Sequence, residues 1–162
     1  MRKQAGFTMI ELVVVVMILG ILAATALPKF MNVSTQAHEA AVAGTGGGLG
    51  AAVALAHAQY VANGLTGTQT NVVGFGNDDV DFNASGWPVS TNNNTGNPNN
   101  NRCRQVWSGV LQNPPTVDNA AGNADYWVTA AGSVCTFTYQ MGGTMSIVYD
   151  SSNGTLTVDS AF

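Results

Sequence analysis

The chain has 162 residues, a formal net charge of −4, and only 9% charged residues against a usual share of about 25%. Of its five basic residues, Arg2, Lys3 and Lys29 flank an apolar run, and only Arg102 and Arg104 lie further on. That excludes strong electrostatic binding of nucleic acid by one copy, which needs several phosphates neutralised at once.

Hydrophobic residues make up 46% of the chain, which suits one core plus an appendage. Asn, Ser, Thr and Gly must cover most of the surface in place of ions. Copies of such a surface repel one another weakly, which suits close side-by-side packing.

The first element is the run from Phe7 to Leu27, whose one charge is Glu11. As a helix it is about 30 Å long, enough to cross a bilayer. Arg2 and Lys3 ahead of it place the N-terminus on the cytoplasmic side and send the rest outward. A secretory signal peptide cut after Ala26 fits the same pattern and would release a soluble, exported, carbohydrate-binding domain. A permanent single-span anchor is a third reading. Two features favour a retained, working segment. Glu11 lowers the hydrophobicity that export machinery reads. Helical spacing also continues beyond residue 26, through Phe30, Val33, Ala37 and Ala41. Pro28 kinks such a helix without having to end it.

Gly6-Phe7-Thr8-Met9-Ile10-Glu11-Leu12, the aliphatic run after it and Pro28 resemble the class III signal of type IV pilins. The short leader 1–6 resembles the type IVa branch. Pro-Lys-Phe at 28–30 and Gly-Trp-Pro at 86–88 are similar to major pilins of the mannose-sensitive haemagglutinin kind.

The resemblance implies that a prepilin peptidase cuts between Gly6 and Phe7 and methylates the Phe7 amine. Gly6 suits such a cut, because a missing side chain lets a protease approach the backbone. Cleavage removes Arg2 and Lys3. Glu11, about one helical turn from the new terminus, then meets the positive Phe7 amine of a neighbouring copy. An unmatched carboxylate in a hydrophobic filament core is penalised far more than a paired one. Gly20 and Pro28 bracket a stretch expected to unwind on assembly.

The implied fold is α+β: a long N-terminal helix, hydrophobic and then amphipathic, packed on a C-terminal antiparallel β-sheet. The implied organisation is leader 1–6, filament-core helix 7–28 and globular head 29–162. The implied protein is the major subunit of a type IV pilus, a homopolymer serving adhesion, biofilm formation and motility. It would wait in the inner membrane as prepilin and finish in an extracellular filament of a Gram-negative bacterium. Its partners would be the peptidase, the assembly machinery with its motor ATPases, and a surface receptor. A minor pilin or a type II secretion pseudopilin is the neighbouring alternative.

Within the head, the second helical half is predicted over 29–62, with Asn63-Gly64 as its stop. Gly44, Gly46, Gly47, Gly48 and Gly50 crowd its middle, and two readings stay open there: close backbone packing, or a break in the helix. The pattern resumes with Leu49, Val53, Ala56 and Tyr60.

Residues 64–124 read as loop-rich, with a short strand at Asn71–Phe75 and an exposed low-complexity loop, STNNNTGNPNNN, at 90–101. Asp78, Asp79 and Asp81 lack the glycine and distal glutamate of an EF-hand and read as a solvated acidic turn. Four strands follow, at Tyr126–Ala130, Val134–Gln140, Thr144–Tyr149 and Thr155–Val158, joined by turns at Gly142-Gly143 and Asn153-Gly154.

Cys103 and Cys135 have no zinc-like spacing. In an exported head a disulfide between them is expected. No nucleophile elbow or phosphate loop is present. His38 and His57 stand alone, and Trp87, Trp107 and Trp127 read as core or interface aromatics. No enzyme, cofactor or metal is expected.

Overall fold

A computed structural model of the protein describes residues 6–161. They fall into two compact units, one ending at Ala37 and one beginning at His38, and the helix α1 (Met9–Ala62) belongs to both. The leader therefore lies, apart from Gly6, outside the described residues.

In the first unit no residue whose exposure is described is buried, although most are apolar. Pro28 sits inside the helix, where its missing amide leaves the Ala24 carbonyl without its intrahelical donor. Three residues earlier the Thr25 hydroxyl donates back to the Leu22 carbonyl at 3.0 Å. Gly20, Thr25 and Pro28 thus concentrate weak helix formers in one short stretch.

In the second unit α1 buries a single face. Val42, Gly46, Leu49, Val53, Ala56 and Tyr60 recur at three- and four-residue intervals and are all buried. The glycine-rich stretch is helical, and Gly46 shows why a glycine is kept there. A Cβ at Gly46 would collide with the Val158 side chain of the last strand. At Gly44 and Gly47 an added Cβ would meet nothing within 4 Å.

The helix ends as its sequence predicts. Gly64 takes φ +66°, its N–H bonds the Val61 carbonyl at 2.9 Å, and the Leu65 N–H bonds the Tyr60 carbonyl at 3.3 Å. This is a Schellman stop, which satisfies carbonyls that the helix end leaves free.

Between α1 and the main sheet lie β1 (Asp81–Phe82) and β2 (Pro88–Ser90), an antiparallel pair, and then α2 (Asn100–Val110). The structure corrects three expectations in this region. No strand forms at Asn71–Phe75, because Asn71, Gly74 and Gly76 all take positive φ, which breaks an extended run. The acidic turn is not uniformly solvated: Asp81 is fully buried. It accepts hydrogen bonds from the Ser90 hydroxyl at 2.6 Å and from the Asn71 and Asn94 amides at 3.1 and 3.2 Å. That carboxylate ties three chain segments together.

The third correction concerns 90–101, which is not one exposed loop. Ser90 is buried in β2, and Asn99 caps α2 by accepting the Arg102 amide at 3.0 Å. The helix then buries Cys103, Val106, Trp107 and Val110 along one face.

The main sheet has the order β3-β4-β5-β6-β7, from β3 (Val117–Asp118), β4 (Tyr126–Ala131), β5 (Val134–Tyr139), β6 (Ser146–Asp150) and β7 (Thr155–Asp159). The last four strands form an antiparallel meander, and β3 joins β4 in parallel. The sheet is therefore mixed, and the whole is α+β. Val128, Cys135, Phe137, Ile147 and Tyr149 turn inward, and Trp107 of α2 packs at a tilt against Tyr126 and Phe137, with ring centroids 4.9 and 4.5 Å apart.

Cys103 and Cys135 are bonded and fully buried, fastening α2 to β5. In the chain-entropy picture, closing a loop across their separation of 32 residues stabilises the fold by about 3 to 4 kcal/mol.

Two consequences are measurable on the full-length chain in detergent. Gly47→Ala should raise stability by up to about 1 kcal/mol through helix propensity. Gly46→Ala should lower it by about 1 kcal/mol or more, because the clash with Val158 outweighs that gain, and Val158→Ala should restore the loss. Denaturant midpoints decide both, and equal effects at 46 and 47 would refute the close-approach argument. Replacing both cysteines with serine should lower unfolding free energy by about 3 kcal/mol in the same assay.

Candidate functional site

The residues singled out in the N-terminal segment lie on one short stretch. Gly6, Phe7 and Thr8 are non-helical and exposed, so the Gly6–Phe7 peptide bond is accessible. The helix starts at Met9, and Thr8 is its cap. The Thr8 amide and hydroxyl both donate to Oε2 of Glu11, at 2.9 and 2.6 Å, while the Glu11 amide donates to the Thr8 hydroxyl at 3.3 Å. This reciprocal pattern is a capping box: residues N-cap and N3 satisfy each other's free backbone donors.

Glu11 therefore has a local reason to be where it is. Its negative charge also sits in the first turn, where the helix dipole favours it. The sequence carries the signal in Thr8-Met9-Ile10-Glu11, a Thr-x-x-Glu ahead of an apolar run. Reading Glu11 only as a charge within hydrocarbon overlooks it.

Phe7 and Glu11 line the same shallow groove of about 420 Å³, together with Ile10, Val14 and Val15. Beyond it, α1 presents Met9, Leu12, Val13, Val16, Met17 and the following aliphatic residues, each roughly half exposed or more. A contiguous apolar surface of this extent marks a membrane or protein contact. The helix is also long and apolar enough to cross a bilayer. Gly20 and Pro28 lie further along this unit and take no part in the groove.

In the second unit the remaining candidates are dispersed. His38 Nδ1 lies 2.8 Å from the Tyr139 hydroxyl, and His57 stacks on Trp87 at 4.0 Å. Trp107 is core, whereas Trp127 is half-buried and donates from Nε1 to the Asn119 carbonyl. Among the described residues no three of His, Cys, Asp and Glu converge as metal ligands.

A family described as the prokaryotic N-terminal methylation motif matches residues 1–27. A curated relative, the type IV narrow pilus major component PilA5 of Thermus thermophilus, is 42% identical over 57 residues. The chain carries a type IV pilin signal. The alignment covers 35% of this chain and spans about half (49%) of the relative's length. No solved structure matches.

The type IV pilin signal and the capping box occupy the same residues, so the box is open to direct test. Thr8→Ala should speed amide exchange of Met9–Glu11 in micelles by about fivefold, corresponding to about 1 kcal/mol of lost capping. Thr8→Ser should leave it unchanged. Unaltered exchange in Thr8→Ala would remove the box from the account.

Proposed function

We propose that this protein is the major subunit of a type IV pilus, polymerising through α1 into a surface filament. The observation that carries the reading is the exposed apolar helix start with its lone carboxylate, joined to a head with its own core. Such a subunit leaves the bilayer only by exchanging lipid for other copies of the same helix. The contact is heterologous and repeated, so assembly propagates instead of closing.

On this reading a prepilin peptidase removes residues 1–6 at the cytoplasmic face and methylates Phe7. Residues 7–28 enter the filament core, with the head 29–162 around it. Assembly machinery and its motor ATPases draw the subunit from the inner membrane of a Gram-negative cell. The finished filament serves adhesion to a surface receptor, biofilm formation and motility, and the subunit's role is structural, not catalytic. A minor pilin or pseudopilin would carry the same signal, but a major subunit dominates sheared filaments.

Glu11 would serve twice. Both Thr8 donors converge on Oε2, and Oε1 has no partner among the described residues. That oxygen is the one to receive the Phe7 amine of a neighbour. Gly20, Thr25 and Pro28 would let 20–28 unwind as the subunit is taken up.

Mass spectrometry of isolated filaments should find this chain as the main component, starting at methylated Phe7. A soluble chain starting at Leu27 would overturn the proposal. Glu11→Gln separates the two uses of the carboxylate, since Gln keeps the capping box and lacks the charge. If pairing with Phe7 matters, Glu11→Gln should cut filament yield about tenfold, the equivalent of about 1.4 kcal/mol per contact. Normal yield from Glu11→Gln alongside failure of Glu11→Ala would leave only the cap.

A further inference from the structure

Before it reaches the head, α1 runs through a stretch that none of the roles above employs. Residues 32–35 read Asn-Val-Ser-Thr, four successive weak helix formers. Valine loses rotamers against the preceding turn, and the other three side chains compete for backbone hydrogen bonds. Pro28 has already removed one helical donor a turn earlier. Cover is poor as well: Asn32, Val33, Ser34, Gln36 and Ala37 are exposed, and Thr35 is half-buried. About 20 residues cross a bilayer, so a span that starts at Phe7 is complete before Asn32. In a bilayer or micelle, water would compete here for backbone bonds that hydrocarbon shields upstream and the head shields downstream.

Cover resumes at one residue. The second unit begins at His38, whose Nδ1 forms a 2.8 Å hydrogen bond with the Tyr139 hydroxyl of β5. The two rings stand 5.7 Å apart. Tyr139 packs in turn at a tilt against Tyr126 of β4, with 5.3 Å between centroids. Tyr126 is buried, and the Thr45 hydroxyl, back on α1, lies beside its own. This line of side chains ties α1 to the sheet at 38 and meets it again at 45. Val42, between them, is the first buried residue of the helix among those whose exposure is described.

We propose that residues 32–37 are a hinge in α1 and that the His38–Tyr139 hydrogen bond is the latch that ends it. The hinge opens by local loss of helical bonds, which is cheapest where propensity is low and water has access. It stops at His38 because further opening must first break a bond to β5 and then uncover Val42. Bending there lets the head tilt without pulling on the helix start, whether lipid or other copies hold that start. The device is separate from the unwinding of 20–28 and does not depend on polymerisation.

Amide exchange resolved by NMR on the full-length chain in detergent micelles tests both parts. Residues 32–37 should exchange about tenfold or more faster than Leu49, Val53 and Ala56, and faster than 12–16. Asn32→Ala combined with Ser34→Ala should slow them by raising helix propensity. Tyr139→Phe keeps the ring and removes the hydroxyl. Exchange of 38–41 should then rise about fivefold, the worth of one hydrogen bond, while β4 and β5 keep their protection. His38→Ala should do the same. Residues 32–37 protected like Leu49, or indifferent to the double alanine variant, would remove the hinge. Exchange at 38–41 unmoved in Tyr139→Phe, or raised only together with β4 and β5, would remove the latch. Filament yield from the unaltered chain reports on the pilus reading independently.

Discussion

An apolar helix start with no buried residue among those described is costly to leave in water, and that constraint frames the rest of the molecule. From Phe7 to Val33 the N-terminal unit has no core to fold onto. At about 25 cal/mol per Å² of apolar surface, exposing so many aliphatic side chains costs far more than a domain's whole net stability. Something other than water must cover the helix at every stage. Under the proposed function the bilayer would do so for a single subunit, and copies of the helix would do so in a filament. The head has to be stable without help from that segment, since its own cover changes nothing about the helix start.

The head meets this demand with few charges and little regular structure. Its core is assembled from one face of α1, the inward positions of the meander, and Trp107 from α2. Long connections would be loose, yet several are fixed by buried or half-buried polar groups acting as staples. Asp81 gathers Asn71, Ser90 and Asn94. Asn83 holds the Ser85 and Trp87 amides at 2.9 and 3.0 Å, and the disulfide binds α2 to β5. Burying a carboxylate without a cation is tolerable at Asp81 because three donors replace its water. Hydrogen bonds from neutral donors thus take the place of the ion pairs that a chain with 9% charged residues supplies sparingly.

What was legible in the sequence divides along local and non-local lines. The end of α1 was readable because Asn63-Gly64 is a local backbone signal, and four meander strands were readable because alternation and glycine turns are local too. The parallel pairing of Val117 with Tyr126 was not, since nothing within β3 encodes its partner. The helix α2 was hidden for another reason. Asparagine both prefers turns and caps helices, so a run ending in Asn99 looks like a loop unless Cys103, Val106, Trp107 and Val110 are read as one stripe. At Asn71–Phe75 the β-branched pair Val72-Val73 suggested a strand, but left-handed residues on either side cut it off. Whether the glycine-rich stretch of α1 was helix or break could only be decided by seeing β7 pressed against Gly46.

The carboxylate at position 11 shows how one residue satisfies two demands that look incompatible. A helix start in hydrocarbon needs its first amides satisfied, because unbonded backbone donors are most costly where water is absent. A charge meant to pair with another molecule, however, should not be spent on its own chain. Glu11 resolves this by division: both Thr8 donors go to Oε2, leaving Oε1 for a second partner. A carboxylate has about four lone-pair sites, so neither interaction displaces the other. Asp in this place would have a shorter reach back to Thr8, and Gln would offer the cap without the charge. Under the proposed assembly, the acid best suited to register a neighbour is therefore the same one that keeps the helix intact while it waits.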